Sequence, residues 1–462
     1  MKNILTLALG LFLAIANANI IDAQNNFDQN NYAQSFKEYQ KLAKLGNVRA
    51  QYNVGIMLFK GQGVEKNTLD AYAWLMMAKT VDPEVEQFLK LVEKDLNPKD
   101  LATAKADGST LIKLYGYKQS ETLLGPVEKE AISQQEAQKT FIWFKTNKSS
   151  MKKVDYPQKA LKKSGRGWVD LSYNIYPDGS VRDINITHQY PHKLFAPSAI
   201  DFISKQNYDA YQGNNKITLA HEFYTSYRIK YGIYGIGFIN SKMKRKIAAL
   251  LKSALSGSLE AQYQYTNLYY TILNNGGGVS EKTINKWLFR SAQFGLADAQ
   301  FRLGENIYYG QSCKQDRQKG LDWILRAAQN NNIEAQYLAY HLLRNNDLHN
   351  ISEKTTQYWL DKSAENGSLI GQIKYAKYIS EKENSTFKDI DLAFMYLDNY
   401  AKNIAQTADW YQTRALLFSK VNKHSEAEKA ITKAMKLAKK AHWNMTELIE
   451  QKNNIKQHKQ AE

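Results

Sequence analysis

Four glutamines set a period. Gln262, Gln300, Gln336 and Gln372 sit in the related phrases GSLEAQY, GLADAQF, NNIEAQY and GSLIGQI, spaced by 38, 36 and 36 residues. A fixed period in this range signals helix–turn–helix units stacked so that each buries its apolar face against the next. The second helix of each unit carries an aromatic near its middle: Trp287, Trp323, Trp359 and Tyr396. Small pairs follow the three tryptophans (Ser291-Ala292, Ala327-Ala328 and Ser363-Ala364), which lets the helices of a unit approach closely. The same grammar occurs once near the N-terminus. There Ala50, Tyr52, Val54 and Leu58 precede a Gly61-Gln62-Gly63 turn, and Ala71, Trp74 and Ala78 follow it. All these aromatics read as core.

The Ala-Gln-Tyr/Phe phrase, the glycine-rich turn and the central tryptophan resemble Sel-like repeats, a branch of the tetratricopeptide superfamily. On this reading residues 25–118 form one repeat module and residues 240–405 a second. Residues 406–462 depart from the pattern. Ala415 and Leu416, then Ala427, Ala430 and Ala434, resemble an ordinary tetratricopeptide repeat with a polar capping tail. The resemblance implies a scaffold for protein–protein contacts and does not imply catalysis. Asn97-Pro98 reads as the N-cap and first position of a further helix. Residues 119–147 are expected to be a linker. It runs into the apolar Phe-Ile-Trp-Phe at 141–144, which is expected to pack against the domain that begins at residue 148.

Between the repeat modules lies an island of strand-and-turn grammar. Trp168, Val169, Leu171, Tyr173, Ile175 and Tyr176 are strand formers within residues 167–177. Pro177-Asp178-Gly179-Ser180 is a tight turn, and residues 181–186 are the returning strand with Val181, Ile184 and Ile186 apolar. A short helix is expected over residues 194–205, with Pro197 in its first turn. A third strand is expected over residues 219–233, with Phe223, Thr225, Tyr227 and Ile229 on one face.

The order β-β-α-β, with Tyr156-Pro157 and Ala160-Leu161 ahead of it, then Gly165, Gly167-Trp168-Val169, Pro177-Asp178-Gly179-Ser180-Val181 and Asp183-Ile184, resembles the C-terminal domain of the TonB energy-transducer family. The resemblance spans residues 148–235. Family members commonly carry a Trp-x-Phe after the second helix, where Asn207-Tyr208 stands here. The fold expected is therefore multidomain and mainly α: an α-solenoid of helix–turn–helix repeats with an inserted α+β domain. The resemblance implies that the last strand is an open sheet edge that captures an extended peptide of an outer-membrane receptor by main-chain pairing. The peptide-binding residues it implies are Tyr156, Pro157, Phe223, Thr225, Tyr227 and Ile229.

Residues 1–18 read as a cleavable secretory signal, with Lys2, an apolar run over residues 4–15 and Ala16-Asn17-Ala18 at the cut. A run this short reaches about 18 Å as helix, against about 30 Å of bilayer hydrocarbon. The mature chain is therefore expected in the periplasm, beginning at Asn19. The alternative is a true energy transducer with this segment retained as an inner-membrane anchor. Such a transducer also needs a proline-rich spacer, whereas four of the seven prolines (157, 177, 191 and 197) lie in the island. The formal net charge is +17. Export argues against nucleic acid as the partner, and a basic surface can meet anionic peptidoglycan, lipid headgroups or acidic partner segments. The TonB resemblance implies proteins of the cell envelope as partners, a TonB-dependent receptor among them. The single Cys313 excludes an intrachain disulfide.

No catalytic or metal pattern emerges. His188 and His192 are separated by Pro191 and lack a third ligand, and His221-Glu222 has no second histidine at zinc-protease spacing. Gly276-Gly277-Gly278 lacks the lysine and hydroxyl residue of a phosphate loop. The expectation is a binding scaffold, accessory to TonB-dependent transport, without enzymatic activity and without cofactors.

Overall fold

The computed structural model describes residues 20–44, 46–80, 85–116, 124–127, 154–162, 167–190, 194–210, 223–231, 241–271, 273, 278–344 and 353–460. The expected signal segment (1–18) and the apolar run at 141–144 lie outside them. The described residues form 20 helices and one three-stranded sheet, in the mainly helical repeat architecture with an inserted α+β domain that the sequence predicts. The chain divides into two compact units: residues 1–131 with 241–339, and residues 132–240 with 340–462.

The repeat phrase has a mechanical explanation in both units. Gln51, Gln262, Gln300, Gln336 and Gln372 are all buried. Each donates its side-chain N–H to the carbonyl of an alanine eight residues earlier (Ala43, Ala254, Ala292, Ala328 and Ala364), at 3.0–3.2 Å. That carbonyl lies in the last turn of the preceding helix, where no intrahelical donor remains. Its other lone pair takes a backbone N–H from Gly46, Gly257, Gly295, Asn331 or Gly367. All five of these turn residues have positive φ, the left-handed cap conformation that favours Gly or Asn. One glycine or asparagine and one glutamine thus finish one helix and fix the start of the next. Gln336→Leu should lower stability by about 0.5–1.5 kcal/mol, the net worth of one buried hydrogen bond, as read by urea unfolding. No change in the midpoint would deny the brace.

In the first unit, helices Val48–Lys60 and Thr68–Lys79 flank the predicted glycine turn, with Gly61 and Gly63 at φ +69° and +71°. Asn97 caps helix Pro98–Tyr115 by accepting from the N–H of Asp100 at 2.9 Å. Helices Ala297–Tyr309 and Arg317–Gln329 touch at backbone distance, since a Cβ on Gly320 would stand 2.4 Å from the Tyr308 nitrogen. Trp323 is 1% exposed, lies edge-on to Phe289 and donates its indole N–H to the Leu124 carbonyl at 2.7 Å. Val127 likewise accepts from the N–H of Lys314 at 2.8 Å, so residues 124–127, in the stretch read as linker, lie along this repeat. Cys313 is fully buried, with its thiol against the Asn306 carbonyl.

In the second unit, helices Glu353–Glu365, Leu369–Glu381 and Phe387–Asn403 continue the repeats, followed by Ala408–Lys420, His424–Lys440 and Thr446–Gln460. The last repeat departs from the glutamine rule. Gln412 donates forward to Glu447 and Gln451 on the final helix and so ties down the cap. The island forms strands β1 (Gly167–Ile175), β2 (Val181–Tyr190) and β3 (Phe223–Tyr231), all antiparallel in the order β2-β1-β3. Helix Ala196–Ser204, with Pro197 in its first turn, packs Ala199, Ile200 and Ile203 into one core with Val169, Leu171 and Tyr173 of β1. Strand β2 runs four residues past its predicted end at 186, because backbone pairing with Trp168–Asp170 extends it through residues without apolar alternation.

Candidate binding site

The two outer strands of the sheet differ. β3 pairs with β1 over nine residues in unbroken register, from Gly167 opposite Tyr231 to Ile175 opposite Phe223. Among the described strands it pairs on that side alone. Residues opposite each other share a face, so Phe223, Thr225, Tyr227 and Ile229 lie on one face, the same one as Val169, Leu171, Tyr173 and Ile175 of the core. Ile229 is accordingly buried, while Tyr227 remains half-exposed. The side chains of Phe223 and Thr225 lie outside the described residues. Tyr156 packs edge-on against the stacked rings of Phe195 and Tyr231, which anchors the Tyr156-Pro157 segment beside the start of β1. Ile229 and Tyr156 therefore shape the edge from beneath, and among the described side chains on that face of β3 Tyr227 is the one left half-exposed. Next to Tyr227, the Tyr173 and Tyr208 hydroxyls meet at 2.8 Å, and burial pushes both phenols up.

The turn between β1 and β2 is built for close approach. Gly179 has φ +81°, and a Cβ there would stand 1.9 Å from the Tyr208 carbonyl oxygen, whose residue also donates its N–H to Gly179. Gly179→Ala should cost about 1–3 kcal/mol through strain alone, visible as a lowered Tm with loss of protection at Tyr208. An unchanged Tm would contradict the geometry.

The second face of the sheet is polar and buried, which periodicity alone did not foretell. Ser172, Asn174, Asp183 and Asn185 are each at most 3% exposed. Two residues of β2, Asp183 and Ile184, stand against one of β1 in a bulge, and Asp183 takes a left-handed backbone (φ +54°). Its carboxylate meets the Lys374 ammonium at 2.6 Å and accepts from Tyr176 and Asn174. The Tyr400 hydroxyl donates to the Ile184 carbonyl at 2.9 Å, and the Asp183 N–H donates to Asp409 at 3.3 Å. On the turn, Asp178 accepts from Arg182 and from the Asn444 N–H. The Arg182 guanidinium lies between the Tyr176 and Trp443 rings, 4.3 and 3.9 Å from their centroids. Burial raises the Asp178 carboxyl, but Arg182, the Ser180 hydroxyl and two backbone N–H groups outweigh it and hold the group below the ordinary range. Asp409 is pushed up by burial and by the neighbouring Asp183 charge. The repeat helices thus clasp the sheet on the face away from its apolar core.

Among the described residues no group of three or more His, Cys, Asp or Glu is placed to hold a metal ion, and no helix is long and apolar enough to cross a membrane. His192 and His221 lie outside those residues.

Comparison with known proteins agrees with this architecture. Residues 152–229 match the family described as the Gram-negative bacterial TonB protein C-terminal. Residues 48–78, 297–332 and 370–398 match the Sel1 repeat. Among solved structures, a protective antigen of uropathogenic Escherichia coli strains displaying an SLR fold aligns at 17% identity and a TM-score of 0.35, covering 87% of this chain and 72% of that one. A Sel1 repeat protein from Oxalobacter formigenes aligns at 19% identity and a TM-score of 0.34, covering 42% of this chain and 80% of that one. Both structural likenesses are remote. Among curated proteins none matches.

Proposed function

Starting from a chain that sets a TonB C-terminal domain among Sel1 repeats, we propose a non-catalytic binding scaffold of the cell envelope. It takes an extended peptide onto β3 by strand addition, and its repeats dock other proteins. Its setting is the periplasm, as an accessory to TonB-dependent outer-membrane transport. The observation that supports this most is the β3 edge, nine residues long and paired on one side among the described strands. A strand edge of that length offers a row of N–H and C=O groups to a partner backbone, with alternate side chains left to read its sequence.

Proline scanning tests the edge. Along β3 the N–H groups point alternately toward β1 and outward. Of Ser226→Pro and Tyr227→Pro, the change at the outward-pointing position should leave the fold intact by circular dichroism. That variant should recover fewer envelope proteins when the mature chain is crosslinked and purified from its own periplasm. Recovery of the same partners by the folded variant would sink strand addition. N-terminal sequencing of the mature chain should give Asn19; a retained Met1 would favour an anchored transducer instead.

A further inference from the structure

Beside the polar clasp lies a cavity of about 310 Å³ that the peptide edge does not use. It is bounded by the start of β2, helix Ala196–Ser204, the segment 404–409 and the end of helix His424–Lys440, and it shares no residue with β3. Its walls are mostly apolar, with Val181, Ile184, Ile200, Ile404, Leu437 and Trp443 among them. Its rim includes the exposed Pro197, Asp201 and Gln406, so it opens to solvent. An apolar cavity of about 150 Å³ already holds benzene, so there is room for a group larger than a ring.

The charges around it do not balance. Arg182 is committed: its Nε donates to Ser180, its Nη2 pairs with Asp178 at 3.1 Å, and aromatic rings cover both faces. Asp183 is committed to Lys374. That leaves Asp409, 8% exposed and lining the cavity. Its carboxylate takes hydrogen bonds from the Asp183 N–H and Thr407, and among the described residues no cation pairs with it. The positive end of helix Ala408–Lys420 offsets part of its charge, but no more than about half an elementary charge. Asp201 on the rim is paired with Lys205 at 2.5 Å, so the uncompensated charge is that of Asp409.

We propose that this cavity binds a primary ammonium or guanidinium group on a short apolar stem. The stem fills the apolar walls and the cation neutralises Asp409. A buried carboxylate beside a like charge is the feature a cationic ligand relieves, and apolar walls strengthen the attraction by excluding water.

Ligand-observed NMR on the whole chain, with n-butylammonium, n-butanol and pentanoate as probes at constant ionic strength, tests this. Butylammonium should bind at least tenfold more tightly than butanol, and pentanoate should bind more weakly than either. Asp409→Asn, which keeps a hydrogen-bond acceptor, should erase the preference for the ammonium. Ile200→Trp, which fills the cavity, should weaken butylammonium at least tenfold. Equal binding of ammonium and alcohol, a preference that survives Asp409→Asn, or full binding to Ile200→Trp would each overturn the proposal. A capped Ala-Lys-Ala peptide binding more tightly than butylammonium identifies a partner's basic side chain as the source. Weaker binding of the peptide identifies a free amine.

Discussion

Lys374→Met is expected to destabilise the second unit by about 3–5 kcal/mol. Lys374 and Asp183 are each 3% exposed and meet at 2.6 Å, and the ammonium also donates to the Tyr176 hydroxyl at 2.7 Å. Methionine keeps most of the side-chain volume, so little of the loss comes from packing. What remains is a carboxylate sealed from water, with Asp409 close by and no counterion. The double change Lys374→Met with Asp183→Asn removes the stranded charge and should recover much of the stability. Lys377→Met, which loosens a longer pair with Glu381 at a more exposed position, should cost less than about 1 kcal/mol. Hydrogen exchange across residues 167–190 and 353–460 in graded urea reads these changes within the unit. A loss below about 1 kcal/mol for Lys374→Met would mean that water reaches the pair, and the clasp would then not be held by a buried charge.

Trp323→Ala is expected to cost the first unit about 3–5 kcal/mol, the range for deleting a fully buried large aromatic. Trp323 fills the space against Phe289, and its indole N–H satisfies the Leu124 carbonyl. Trp323→Phe separates these roles. It keeps much of the packing and removes the donor, so it should cost on the order of 1–2 kcal/mol. It should also raise hydrogen exchange at residues 124–127, which lie along this repeat. If exchange there is unchanged in Trp323→Phe, the indole bond does not hold that segment.

The repeats were legible because one phrase recurs, yet the work of its glutamine was not. The partner is an alanine eight residues earlier, and that alanine is visible in all five copies once the bond is known. The hairpin was legible from Pro177-Asp178-Gly179-Ser180, since only glycine tolerates the backbone there. The far end of β2 was not, because Thr187, His188 and Gln189 show no apolar alternation and backbone pairing alone extends the strand. The third strand falls inside the span read from its strand-forming residues. Side-chain period, however, could not say which residues of that face are buried: Ile229 lies in the core with helix Ala196–Ser204, whereas Tyr227 stays half-exposed. The clasp escaped entirely. Asp183 and Lys374 are far apart in sequence, and neither position announces a partner. The one local hint is a lysine placed among the buried residues of helix Leu369–Glu381.

The bond from Asn444 to Asp178 spans 266 residues, whereas each repeat glutamine reaches back only eight. Short loops close first, because closure entropy rises with length and non-local contacts form late. As the chain emerges from synthesis, each repeat can settle almost as soon as it appears. The sheet can pair its strands early as well, but its polar face stays wet until residue 374 arrives, and the turn at Asp178 until residue 444. For that interval the sheet domain exists without its clasp. A chain stopped short of residue 374 would hold it there, and one stopped short of residue 444 would lack, of the clasp, only the contact to the Asp178 turn.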